Sequence, residues 1–235
     1  LCGDHVTALP EETFDACEAV DVALTGGDYD FGIQEIVQGF LKEKDRDVIT
    51  MFGNRRMIFD QPTTTPLSTL PIPNRRRTKW WLYARMGNYL YRPGAHTYSA
   101  RDCWWRHQGG CTFCSWTNTF KNYRQVSVDW LMTDVEQCAS LGIREVFDDA
   151  GTWAPPGKWF EQSTAALTQF NHGRPHYAAR VAMGCNDRPG ARGPHEYKRM
   201  FHAGFRFILF GLESANHDTL QRINKGQHAE DARNA

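Results

Sequence analysis

Three thiols stand close together in this chain. Cys103, Cys111 and Cys114 fall within twelve residues in the spacing C-x7-C-x2-C. Thiolates are soft ligands that suit iron–sulfur clusters and zinc alike. Three of them with no fourth cysteine nearby would hold a [4Fe-4S] cluster with one iron open to another ligand, because each thiolate occupies one iron. The same trio would close a zinc tetrahedron if His107, Cys138 or Cys185 supplied a fourth donor. His107 lies inside the loop, whereas Cys138 sits in the apolar stripe of a predicted helix and Cys185 just past a predicted strand, where small core residues are expected. Spacing by itself leaves cluster and zinc even.

The other arithmetic narrows the setting. Seven cysteines, an odd and clustered set with no secretion signal, argue for ligation in a reducing compartment rather than a disulfide framework, so the cytoplasm is the expected location. Basic and acidic side chains balance at 27 each, which gives no electrostatic reason to expect nucleic acid or an anionic membrane as partner. No apolar run approaches the roughly 18 residues of a membrane span. With 235 residues the chain is long enough for one large domain or parts of two.

The elements that must position the thiols divide the chain into three stretches. Residues 1–46 read as helix, strand, helix: Pro10 opens Glu11 to Ala19, Val20 to Leu24 is a short apolar strand, and Asp30 caps Phe31 to Lys44. This reads as the trailing part of a parallel α/β domain. Residues 47–95 hold a predicted hairpin, Ile49 to Phe52 and Met57 to Asp60 about Gly53-Asn54, then a Pro-rich connector from Gln61 to Pro73. A basic-aromatic run, Arg75 to Tyr83, follows; it reads as a solvated charge run leading into aromatics that pack on a neighbouring domain.

Residues 96–235 alternate strand and helix four times. The predicted strands are Tyr98 to Asp102, Ile143 to Phe147, Tyr177 to Met183 and Phe205 to Phe210. The predicted helices run from a Ser127 cap through Leu141, from Lys158 to Phe170, from Pro194 to Ala203 and from Asp218 to Lys225. Strict alternation implies a parallel sheet with right-handed crossovers, open or closed into a barrel. The cysteine loop then follows the first strand, on the face where such folds bind ligands, while zinc knuckles usually sit on hairpins.

The loop, with Phe113 before the last cysteine, resembles the cluster motif of the radical S-adenosylmethionine (SAM) enzymes. The run from Gly204 to Ser214, followed by Leu220, Ile223, Lys225 and Gly226, resembles that family's fourth strand and following helix. At the front, Gly3 to Glu12 and Val20 to Asp28 look like the closing section of the domain that precedes the barrel in its cobalamin-binding class. Two departures stand out. Most members space the first two cysteines as C-x3-C where this chain has seven intervening residues, and the cobalt-ligating D-x-H-x-x-G motif is absent, Asp4 and His5 being adjacent.

The resemblance implies an α/β fold in which the first four units of a (βα)6 barrel follow the C-terminal part of a Rossmann-like cobalamin-binding domain, Leu1 being an internal cut in a longer protein. It implies that Cys103, Cys111 and Cys114 hold a [4Fe-4S] cluster and that SAM, chelated at the open iron, is reductively cleaved to a 5′-deoxyadenosyl radical. An electron donor such as flavodoxin or ferredoxin would be required, the substrate is unassigned, and methyl transfer or peptide or natural-product modification would follow. Asp148 and Asp149 match the position that contacts the methionine ammonium, Arg180 is a candidate partner of the SAM carboxylate, Glu213 and Ser214 match the ribose region, and Phe113 is placed near adenine. The Gly26-Gly27-Asp28 turn would approach the nucleotide tail of cobalamin. The competing class is a zinc-stabilised nucleic-acid-binding protein using Arg75 to Tyr83.

Overall fold

The structure, a computed structural model, describes residues 1–42, 49–52, 55–59, 65–85, 89–120, 122–174 and 180–234. The N-terminal unit opens with two short helices, α1 (Asp4–Ala8) and α2 (Pro10–Ala16), where sequence predicted one. Pro10 takes the first position of α2 as expected, but the chain turns extended at Cys17, short of Ala19. Strand β1 (Val22–Thr25), helix α3 (Tyr29–Lys42), β2 (Ile49–Phe52) and β3 (Arg55–Phe59) complete it. The predicted hairpin forms as β2 and β3, its Gly53-Asn54 turn lying outside the described residues. β3 runs antiparallel to β2 and parallel to β1, so the hairpin shares a sheet with the N-terminal strand instead of belonging to the connector. Val6, Phe14, Val20 and Ala23 form a small separate core there.

The basic-aromatic run departs from its expected role. Arg75 is buried and ion-paired to Asp134, and its Nη2 donates to the His96 carbonyl at 2.6 Å. The aromatics form helix α4 (Trp80–Tyr83), of which Trp80 packs on the main core while Trp81, Leu82 and Tyr83 are exposed. The first of three arginines is thus a pin between the connector and the sheet.

The larger unit contains a four-stranded parallel sheet of β4 (Gly94–Thr97), β7 (Glu145–Asp148), β8 (Ala182–Asp187) and β9 (Phe205–Phe210), adjacent in that order. Between β4 and β7 lie β5 (Ala100–Arg101), α5 (Ser115–Thr119), β6 (Arg124–Gln125) and α6 (Val128–Ser140). Ser127 caps α6 by accepting from the Trp130 N–H, as the sequence implied. Helix α7 (Lys158–His172) follows β7, α8 (Pro194–Ala203) follows β8, and α9 (His217–Arg222) and α10 (Asp231–Asn234) follow β9. Leu131, Val135, Cys138, Val146, Leu167, Met183, Cys185, Met200 and Phe205 share one core, so Cys138 and Cys185 are the packed apolar residues that their positions suggested.

Three of the four expected strands shift. The first lies at Gly94–Thr97, because residues 100–101 leave the parallel sheet to pair antiparallel with β6. The second is Glu145–Asp148 rather than Ile143 to Phe147. The third starts at Ala182, five residues later than predicted; Arg180 therefore precedes the strand, and residues 175–179 lie outside the described set. Among the described residues no helix is long and apolar enough to cross a membrane.

Candidate functional site

The cysteine loop is held from inside and from outside. Asp102 adopts a left-handed backbone, φ 71°, which turns the chain out of β5, and its buried carboxylate pairs with Arg106. Arg106 Nη2 donates to the Trp116 carbonyl at 2.8 Å, and the Cys114 N–H donates to the Cys111 carbonyl at 3.2 Å. The outer clamp comes from the end of α9. Asn224 Nδ2 donates to the carbonyls of Gln108 (2.9 Å) and Gly110 (2.7 Å), Trp105 Nε1 donates to the Asn224 carbonyl (2.8 Å), and the Thr112 N–H reaches the Ile223 carbonyl (3.0 Å).

Gly226 closes this clamp. It has φ 62°, and a Cβ there would collide with the Trp105 indole. Gly226→Ala is expected to cost about 1–2 kcal/mol from the left-handed backbone alone and to displace Trp105 from Asn224, loosening the cysteine loop. Urea unfolding and limited proteolysis at the loop would show both effects; a variant equal to the parent in both would contradict the clamp.

All three thiols face one cleft of about 600 Å³ at the carboxyl ends of the parallel strands. Cys103, Cys111, Phe113 and Cys114 form one wall; Gly151 after β7, Asn186 and Asp187 of β8, Arg188 beyond it, and Leu209, Phe210, Gly211, Glu213 and Lys225 form the others. Lys225 Nζ donates to Glu213 Oε1 at 2.9 Å and lies 5.7 Å from the Phe113 ring centroid. Arg188 Nη1 stands 3.8 Å from Cys111 Sγ. Burial pushes the Cys103 thiol above its ordinary range, the proximity of Cys111 and Cys114 adds to the rise, and Arg188 opposes it. Among the described residues no three His, Cys, Asp or Glu side chains close round a single ion, although the three thiols line the same cleft. The proposed fourth zinc donors are elsewhere: His107 is exposed against Tyr123, and Cys138 and Cys185 are fully buried in the core.

The remaining sequence candidates separate. Glu213 and Phe113 line the cleft. Ser214 does not: its Oγ accepts the Asn216 N–H at 3.0 Å in the turn before α9. Asp149 is half-exposed and paired with His96, whose ring this hydrogen bond holds more basic than usual. Arg180 is exposed at the amino end of β8, where it borders a cavity of about 170 Å³ with Arg144, His172 and Arg206, at the opposite end of the sheet from the thiols. It is misplaced for a cleft ligand because the predicted strand was five residues out of position.

Asp148 is fully buried and spent on structure, accepting from the Ser99 N–H (2.5 Å) and Oγ (2.7 Å). Burial pushes its carboxyl up to about 7 even though those bonds pull the other way. An unfolded aspartate titrates near 3.9, so the group favours the folded state most below that value, and its contribution is lost as pH rises from about 4 to about 7. That difference amounts to roughly 4 kcal/mol. Asp148→Asn, which keeps an acceptor for the Ser99 N–H, is expected to flatten unfolding free energy across that window; an unchanged slope would count against this assignment.

Sequence reasoning missed Asn186, Asp187 and Arg188. The available signal was that polar residues directly after a parallel strand point at the ligand face; it became visible only once β8 was placed at Ala182–Asp187. The Gly26-Gly27-Asp28 turn also has a use that sequence did not foresee. A side chain at Gly27 would collide with the Phe120 ring, and Asp28 pairs with both Arg101 and Arg124, so the turn docks the N-terminal unit onto β5 and β6. Asp4 adds bonds to Ser115 (2.9 Å) and Thr119 (3.1 Å).

No protein-family model matches the sequence, and no curated protein matches it either. Solved structures do. One is the radical S-adenosylmethionine methyltransferase TsrM from Kitasatospora setae with tryptophan substrate and a SAM analog bound: TM-score 0.69, 13% identity, 98% of this chain against 45% of that one. A second TsrM structure, with cobalamin and a [4Fe-4S] cluster bound, gives TM-score 0.65 at the same identity and coverage. This chain spans less than half the length of either neighbour. Over nearly its whole length this chain thus has a fold similar to part of the TsrM fold.

Proposed function

We propose that the chain is the cluster-bearing part of a radical SAM enzyme, in which Cys103, Cys111 and Cys114 hold a [4Fe-4S] cluster and the adjoining cleft binds SAM. The observation that carries this reading is the convergence of the three thiols on one cleft at the carboxyl edge of a parallel sheet, beside a buried cation and polar side chains from the ends of β8 and β9. The fold shared with TsrM supports it. The cluster supplies the electron that cleaves SAM; the rest falls to the residues of this chain. The Asp102–Arg106 pair and Asn224 fix the loop so that the thiols keep their mutual placement. Phe113 offers a ring face to the adenine, and Glu213, oriented by Lys225, offers a carboxylate to the ribose hydroxyls. Leu209 and Phe210 make part of the wall apolar, which limits water at the reacting bond.

Cobalamin belongs to the reading through the resemblance of the N-terminal segments to the cobalamin-binding class and through the fold shared with TsrM, one structure of which has cobalamin bound. The turn expected to meet its nucleotide tail is spent on Phe120, Arg101 and Arg124, so no step is derived through that cofactor. Methyl transfer rests on the same likeness, and the electron donor on the resemblance of the sequence motifs alone. The zinc and nucleic-acid reading loses support because none of its candidate fourth donors lines the cleft and Arg75 is buried. The test is SAM binding to anaerobically reconstituted, reduced protein followed by electron paramagnetic resonance. SAM is expected to change the cluster signal and to yield 5′-deoxyadenosine on turnover; a cluster signal indifferent to SAM would overturn the assignment.

A further inference from the structure

Arg188, on the turn leaving β8, is 6% exposed. Its guanidinium lies over the Trp105 ring, 4.5 Å from the centroid, and 5.8 Å from that of Trp104. Nη1 points at Cys111 Sγ from 3.8 Å, and Nη2 is buried without an acceptor. The other cations around the cleft are matched: Arg106 by Asp102, Arg192 by Asp187 and Lys225 by Glu213. Among the described residues no carboxylate pairs with Arg188.

Arginine stays protonated in proteins, and a buried charge without a counter-ion is costly. Two indole faces offset only part of that cost. The rest is balanced if the neighbouring sulfur is a metal-bound thiolate, which is anionic and accepts hydrogen bonds. Local charge and hydrogen bonds to sulfur are two of the levers by which a protein sets an iron–sulfur potential. A cation and a donor at the thiolate favour the reduced cluster, which carries one more negative charge.

We propose that Arg188 is a positioning residue that donates to the Cys111 thiolate and raises the reduction potential of the cluster bound there. This rests on the cluster reading above. It makes the first electron transfer easier for whatever donor serves the enzyme, and it is separate from any contact that Arg188 makes with SAM.

The test is a potentiometric titration, read by electron paramagnetic resonance without SAM, of anaerobically reconstituted wild type and Arg188→Met. The methionine variant keeps an unbranched apolar stem but loses the charge and the donor. It is expected to hold as much iron as wild type and to show a reduction constant about tenfold lower, which for one electron is a midpoint about 59 mV more negative. A variant with full iron and a wild-type midpoint would overturn the proposal, since a merely structural arginine does not move the potential. If that variant fails to fold, wild-type protein labelled with 15N-arginine carries the test. The reduced cluster should show hyperfine coupling to a guanidinium nitrogen, and its absence would overturn the proposal. Wild-type protein that takes up no iron would instead overturn the cluster reading.

Discussion

Cys111→Ala is expected to leave anaerobically reconstituted protein with iron at background, while Cys138→Ala keeps the wild-type iron content and loses only stability. The contrast follows from position. Cys111 is buried on the wall of the cleft that it shares with Cys103 and Cys114, with Arg188 at its sulfur. A cubane held at three corners has no spare ligand in this loop, so losing one removes the binding site rather than weakening it. Cys138 is fully buried on α6, and burial pushes its thiol up to about 12, which marks a packed neutral group. Its truncation removes one buried sulfur, a loss on the order of 1 kcal/mol. Iron retained in Cys111→Ala, or lost in Cys138→Ala, would mean that the ligands are wrongly assigned.

The second large effect concerns how the N-terminal unit is fastened to the cysteine loop. Asp28→Asn is expected to destabilise the protein by about 3 kcal/mol, the low end of what breaking a buried ion pair costs, because it leaves two arginines short of their shared carboxylate. Asp28 binds Arg101 at 2.6 Å and also pairs with Arg124, and all three side chains are largely buried. Arg101 keeps Asp30, 2.5 Å away, while among the described residues Arg124 keeps the Thr65 carbonyl at 3.2 Å. Arg101 stands two residues before Cys103, so the loss is transmitted to the start of the cysteine loop. Asp30→Asn is the comparison: that carboxylate is partly exposed, and its loss is expected to cost under about 1 kcal/mol. Urea unfolding of both variants checks the difference; equal, small effects would show that the two units are not joined through Asp28.

The sequence made the thiol trio, the alternation of strand and helix and the starts of α6, α7 and α8 visible because each has a local cause. Thiol spacing sits in one loop, Ser127 caps α6 with its own side chain, and Pro194 and Gly204 bracket α8. Strand register was less visible. β4 lies at Gly94–Thr97 because β7 pairs with it there and Asp148 captures Ser99, a contact 49 residues away that no local pattern reports. The shift of β8 had the larger consequence for the site. Placing it too early put Arg180 within the strand, whereas Asn186 and Arg188 are the residues of this segment that line the cleft. The pairing of Asp28 with Arg101 and Arg124 likewise joins residues 73 and 96 positions apart, and it turned a suspected cofactor turn into a docking point.

Metal content after anaerobic reconstitution with iron and sulfide decides what the three thiols bind. About four irons and four sulfides per chain, a brown protein and a paramagnetic signal on reduction are expected. A colourless protein carrying one zinc and no sulfide would contradict the cluster reading.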